Sequence, residues 1–348
     1  MTLPAHEITP ELAYAADVML RDYMNARRGE VVLITVDTRS DAAAVYATFS
    51  AAYVLGCKTA VLTIPQLPFQ GTLADPYIPP VLAGAAGDCD VWVDFTFPYL
   101  AGSHFQDSVM KKERARYLLA GDMKGDSLAR LFGRVDLDRY YEVHKGMDAI
   151  VQETVGKECR ITDANGTDVS FKIGKPGFKK PRRAEKPGMY LVPGSCTIFP
   201  DIETVQGTIS VFAAFHEFYT LLREPLQLTL DGRIREIRGG ANDRAIMDRA
   251  LRRAAGGDYG YVIHFTHGIH PAARVTGRSF IEDMRTVGNN AVGLGLPWWV
   301  PGGGENHPDA LVSMQSIWVD GEQIVHDGAI VKPLELARSA AALQPAYT

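Results

Sequence analysis

Apolar positions along the chain change their period near residue 156, and the change divides it into two kinds of structure. Residues 30–37, EVVLITVD, form a nearly unbroken apolar run of the sort that is buried on both faces of a parallel sheet. Residues 58–64 read as a second strand, the VWVDFTF run at 91–97 follows the same logic as a third, and ARYLLAG from Ala115 reads as a fourth. Between the first two runs, residues 40–55 return to a helical spacing of apolar positions. Ahead of them, Thr9-Pro10-Glu11 reads as a helix start, with Thr9 as cap and Pro10 in the first turn, continuing to about Asn25. Strands alternating with helices predict an open, mostly parallel α/β sheet with helices on both faces. A long amphipathic helix over 136–155 closes this part.

Beyond it the alternation becomes that of antiparallel strands. Residues 159–173 predict a hairpin turning at Asn165-Gly166, and 226–237 another at Asp231-Gly232. A third runs through SIWVDGEQIVHDG, with Asp320-Gly321 at its turn, and 189–199 and 204–214 read as further strands. Residues 241–255 form a helix with Asn242 as cap and arginines crowding its end. The expected fold is therefore an α/β domain over 1–155 followed by an α+β domain rich in antiparallel strands over 156–348. Lys175 to Gly188, basic and proline-rich, reads as a solvated connection.

Composition narrows the classes. With 46% hydrophobic and 22% charged residues in 348, the chain is ordinary globular protein, long enough for two domains. A net charge of −5 offers no basic surface for a phosphate backbone, so nucleic acid is not an expected partner. The four cysteines, Cys57, Cys89, Cys159 and Cys196, are scattered without a C-x-x-C pair and read as reduced, buried residues. The start, MTLPAHEITPEL, lacks a basic region followed by an apolar one, and no run approaches the apolar length of a membrane span. The expected location is cytoplasmic.

Several chemistries fail on their own motifs. No G-x-G-x-x-G follows the first strand, where the chain reads VDTRSDAA, and no Walker-type glycine loop occurs. His216-Glu217 would open a zinc-peptidase helix, but Thr220 stands where its second histidine is required. There is no G-x-S-x-G elbow, and Ser195 in PGSCT has no base assigned to it.

The stretch from 261 to 309 is where the chemistry concentrates. It carries four of the nine histidines, His264, His267, His270 and His307, and a compact His307-Pro308-Asp309. Tyr-Val-Ile before the first three predicts a strand running into a Gly-Pro turn. Two imidazoles and a carboxylate from separate segments suit a divalent metal with open positions, either Fe(II) in a facial triad or Zn(II) in a hydrolase. His104, at the carboxyl end of the third strand, lies on the edge where open sheets bind ligands. Trp298 and Trp299 offer faces on which an aromatic ring could stack, and Arg274 or Arg278 could orient a carboxylate.

The succession PGSCTIFPDIETVQGT, HGIHPAARVTG, EDMRTVGNNAVGLG, NHPD and WVDGE resembles the two-metal leucyl aminopeptidases of the thermophilic type. Ser195-Cys196 and His264 stand where those enzymes have glutamates, and Ala291 where they have a histidine, while His307 and Asp309 match the last motif. That pattern is similar to 2,5-dihydroxypyridine dioxygenases, as is the arrangement His264, Gly268, Pro271. The resemblance implies an aminopeptidase-like two-domain fold and one Fe(II) held by His264, His307 and Asp309. It also implies ring cleavage of a hydroxylated N-heterocycle by O2, and a homo-oligomer. For proton transfer it leaves His104 or His267, with Tyr190 as hydrogen-bond donor; Ser195, Trp298 and Arg274 are the substrate-binding candidates. A hydrolase with Zn(II) or Mn(II) on the same ligands, cleaving an amide or aryl amine, is the alternative.

Overall fold

The computed structural model describes residues 8–175, 183–216, 218–297, 300, 303 and 307–343. In the first part, α1 (Pro10–Asp17) is capped by the Thr9 hydroxyl, which accepts from Leu12 N, and runs on as a wider-pitched π turn to Tyr23. Then come β1 (Val31–Asp37), α2 (Ala42–Val54), β2 (Lys58–Ile64), α3 (Val81–Gly87), β3 (Val91–Asp94), α4 (His104–Met110), β4 (Arg116–Leu119) and α5 (Gly125–Gly133). The long α6 (Leu137–Glu153) starts where Asp136 accepts from the amides of Asp138 and Arg139. All four strands pair in parallel, in the order β2-β1-β3-β4. Each of β1, β3 and β4 is buried nearly end to end, as its continuous apolar run requires.

The second part opens with the hairpin β5 (Glu158–Thr162) and β6 (Asp168–Lys172). Residues 189–199, read as one strand from the sequence, divide between the two sheets. β7 (Gly188–Leu191) joins β4 in parallel as the fifth strand of the first sheet, and β8 (Ser195–Ile198) enters the second. The divide falls at Val192-Pro193-Gly194, where proline lacks a ladder donor and Gly194 adopts φ +129°. β9 (Gln206–Phe215), β10 (Tyr219–Asp231), β11 (Ile234–Arg238) and α7 (Ala241–Ala254) follow. The cap of α7 is Gly240, without a side-chain hydrogen bond, so Asn242 sits inside the helix instead of capping it.

The remaining elements are β12 (Tyr261–Gly268), α8 (Phe280–Asp283), β13 (Asn290–Gly295), β14 (Asp309–Val312), β15 (Ser316–Val319), β16 (Glu322–His326), β17 (Ala329–Ile330) and α9 (Leu334–Ala341). The large sheet is antiparallel in the order β17-β16-β15-β5-β6-β9-β14-β13-β12-β8, with β10 also pairing β9 and β11 pairing β10. One face packs on a core that includes Phe265, Val292, Leu294 and Val312. On alternate positions of the same strands, Ala213, Phe215, Ala291 and Leu311 join the core of the parallel sheet. The antiparallel sheet is therefore covered on both faces, and the side turned to the parallel sheet carries the functional residues.

Candidate metal centre and cavity

Three neighbouring strands build the centre by register alone. On β13, Gly293 stands opposite His264 of β12 on one side and Asp309 of β14 on the other. The two side chains therefore flank a position that has none. His307, two residues before Asp309, completes the group. His264 Nε2 lies 3.2 Å from His307 Nε2, and Asp309 Oδ1 lies 3.6 and 3.8 Å from them respectively. Two donors about 2.1 Å from a common ion stand about 3.0–3.5 Å apart, so the trio is spread only slightly wider than a ligand set.

The donors fit a metal in a second respect. A Cβ at residue 293 would stand 2.7 Å from His307 Nε2 and closer still to His264 Nε2, so the space between the rings exists only because that residue is glycine. Thr266 Oγ1, 3.1 Å from His264 Nδ1, can accept the Nδ1 proton, which leaves Nε2 as the lone-pair nitrogen facing Asp309. Thr266 is itself 3.0 Å from Thr197 Oγ1 across β8. Burial pulls His307 down to about 4, keeping its ring neutral at physiological pH. The Gln70 side chain donates to the His307 carbonyl and ties the ligand segment to the parallel-sheet part of the chain.

All three donors line a half-open cavity of about 910 Å³ between the two sheets. Its wall on the parallel-sheet side includes Tyr99 and His104, from the loop and helix after β3, at the carboxyl edge expected to bind ligands. Phe97 stacks on Phe215 with centroids 4.4 Å apart, pressing this loop against the antiparallel sheet beside Asp309.

His104 is the first residue of α4 and exposed; its Nδ1 is 2.9 Å from Asp75 Oδ2, and Asp75 also accepts from the amides of His104 and Phe105. Ser195 lines the cavity from β8, on the same face as Thr197. The other candidates are not brought to it. His267 is three residues from His264 on one strand, and the two-residue alternation turns it to the opposite face; it is absent from the cavity lining. Tyr190 is buried on β7 and donates its hydroxyl proton to the Lys186 carbonyl at 2.6 Å, while its neighbours Met189 and Leu191 face the cavity. Arg274 is exposed and outside the lining. Trp298 lies outside the described residues. His270 has a structural place: Ala272 N donates to Nδ1, and Nε2 lies 3.0 Å from the Leu131 carbonyl of α5.

The residues that sequence reasoning missed are Gly293, Thr266, Gln70 and Asp75. The first two were within reach, since strand alternation places Thr266 beside His264. The other two depend on the packing of distant segments.

Comparison with known proteins agrees with this fold. The family model described as NicX, 2,5-dihydroxypyridine 5,6-dioxygenase, matches residues 22–332. The solved 2,5-dihydroxypyridine dioxygenase from Pseudomonas putida KT2440 superposes with a TM-score of 0.73 at 20% identity, covering 93% of this chain and 98% of that one. Wild-type AmpT from Thermus thermophilus gives a TM-score of 0.62 at 12% identity, covering 92% and 99%. No curated protein sequence matches. No helix among the described residues is long and apolar enough to cross a membrane.

Proposed function

The chain belongs to the 2,5-dihydroxypyridine 5,6-dioxygenase family, and from that premise we propose that it opens the ring of 2,5-dihydroxypyridine with O2 at Fe(II) held by His264, His307 and Asp309. The observation that carries this reading is the convergence of an N,N,O donor set on the wall of a cavity between the sheets. When bound, ferrous iron supplies the one-electron and Lewis-acid chemistry by which ground-state oxygen reacts with a hydroxylated ring. The protein's own residues position and exchange protons. As ligands, Asp309 would bring one negative charge and the two imidazoles none, so a divalent ion held there would keep a net positive charge that favours an anionic substrate oxygen.

His104 is the proton carrier in this account. With Nδ1–H donated to Asp75, its Nε2 is the acceptor, and from the cavity wall it takes the ring hydroxyl proton. Asp75 holds the ring in that tautomer and steadies it once charged, as an orienting carboxylate does. Ser195 and the Thr197-Thr266 pair place hydroxyls on the opposite wall, where they can bond a polar ring substituent. Oxygen uptake with 2,5-dihydroxypyridine tests the proposal. Wild-type protein should consume about one O2 per ring opened, and Asp309→Ala should abolish uptake. His104→Ala should lower kcat by about 10²–10⁴-fold with metal content unchanged. Turnover without oxygen consumption would move the chemistry to hydrolysis.

A further inference from the structure

On the opposite face of the antiparallel sheet from the cavity donors, where α6 packs on β8, His144, Asp148 and Cys196 place one donor atom each within 4.8 Å of one another. His144 and Asp148 are four residues apart on α6, so both project from one helix face. Cys196 projects between Ser195 and Thr197, its neighbours that face the cavity, and so points the other way toward the helix.

We propose that these three residues form a second metal site, selective for a zinc-class ion, with the buried His267 beside it. Three observations support it. His144 Nδ1 and Asp148 Oδ1 are 3.5 Å apart, too long for a strong hydrogen bond but close to the separation of two ligands on one tetrahedral ion, about 3.4 Å. His144 Nδ1 is buried and has no hydrogen-bond partner among the described residues, although His144 as a whole is only 6% exposed. His267 stands directly opposite Cys196 in the register of β12 and β8, so the two side chains leave the sheet on the same face. It is 1% exposed, and neither of its ring nitrogens has a hydrogen-bond partner among the described residues.

A buried imidazole nitrogen without a hydrogen-bond partner, as at His144 Nδ1, costs about 1–3 kcal/mol, which a bound cation would relieve. The donor set selects the ion: a thiolate with one imidazole and one carboxylate favours zinc over magnesium or calcium. His144 also lines the cavity, which gives an ion a route in from solvent. Occupancy would clamp α6 to β8, and β8 pairs with β12, which carries His264. The second ion would thereby hold the strand that presents a ligand of the first. This assignment is independent of the reaction proposed above.

Cobalt(II) titration of the full-length His264→Ala/Asp309→Ala protein tests it, because the first centre can no longer compete. The expected result is about one cobalt per chain with a thiolate-to-cobalt charge-transfer band in the near ultraviolet. Adding Cys196→Ser should remove the band and lower binding at least tenfold. Should Cys196→Ser not fold, His144→Gln read by the same titration should give the same loss. No cobalt bound, binding without a thiolate band, or a band that survives loss of Cys196 or His144 would each overturn the assignment.

Discussion

Replacing Gly293 by alanine adds one methyl group at the centre of the ligand set. The new carbon would sit 2.7 Å from His307 Nε2 and closer to His264 Nε2, where nonbonded contacts relax only at about 3.5 Å. Retreat of the backbone is blocked, because β13 is hydrogen-bonded to β12 on one side and β14 on the other. The rings must therefore move, by about 1 Å for the nearer, and that displacement takes both lone pairs off a common point. Misplacement on this scale costs about 10²-fold in rate, and the overpacking itself about 1–3 kcal/mol of stability. Iron content and oxygen uptake should be measured together on folded protein, with the near-ultraviolet circular dichroism as the check of folding. The expected outcome is native-like dichroism, iron below about a tenth of wild type, and activity reduced about 10²-fold or more. Wild-type iron content in a folded Gly293→Ala protein would refute the placement of the metal between these two rings.

Other consequences follow from the supporting contacts. Thr266→Val removes the partner of His264 Nδ1 while keeping shape, and equilibrium dialysis should show metal affinity lower by about 10–100-fold with little change in melting temperature. Glu282 is fully buried and takes Arg130, Ser127 and the Arg274 amide across the two parts of the chain. Glu282→Ala removes the buried partner of Arg130 and leaves it only the more exposed Asp126 at 3.0 Å, so it should cost up to about 3 kcal/mol in urea denaturation. Burial depresses His270 from 6.5 to about 4, so between those values the unfolded chain binds a proton that the folded one does not. Its contribution is fully present above pH 6.5 and is lost as pH falls toward 4, by about 3 kcal/mol in all; His270→Gln should reduce the acid slope of stability by about one proton.

The periodicity of β1, β3 and β4 is legible because strands buried on both faces must be apolar throughout. The hairpin around Asn165-Gly166 is legible because a tight reversal between two alternating strands favours such residues, although the connection spans 163–167 and only Gly166, at φ +102°, takes the left-handed region. His264, His307 and Asp309 converge as their motif implies, since their types restrict what chemistry they can do. The handover of 188–198 from one sheet to the other was not legible, because β7 and β8 have the same local pattern and differ only in which distant strand they meet. Tyr190 and His267 illustrate the same limit. A one-residue offset along a strand exchanges cavity for core, and proximity in sequence to a ligand does not specify the face. Gly293 escaped notice for the opposite reason: its contribution is a missing atom.

The most direct measurement is the fate of labelled oxygen. Protein stripped of metal and reconstituted with Fe(II) under anaerobic conditions should, on exposure to ¹⁸O₂ and 2,5-dihydroxypyridine, give a ring-opened product carrying both labelled atoms. The same protein reconstituted with Zn(II), or carrying Asp309→Ala, should give none. Ring opening with label from water, or equal activity with Zn(II), would contradict the assignment of an iron-dependent dioxygenase to this site.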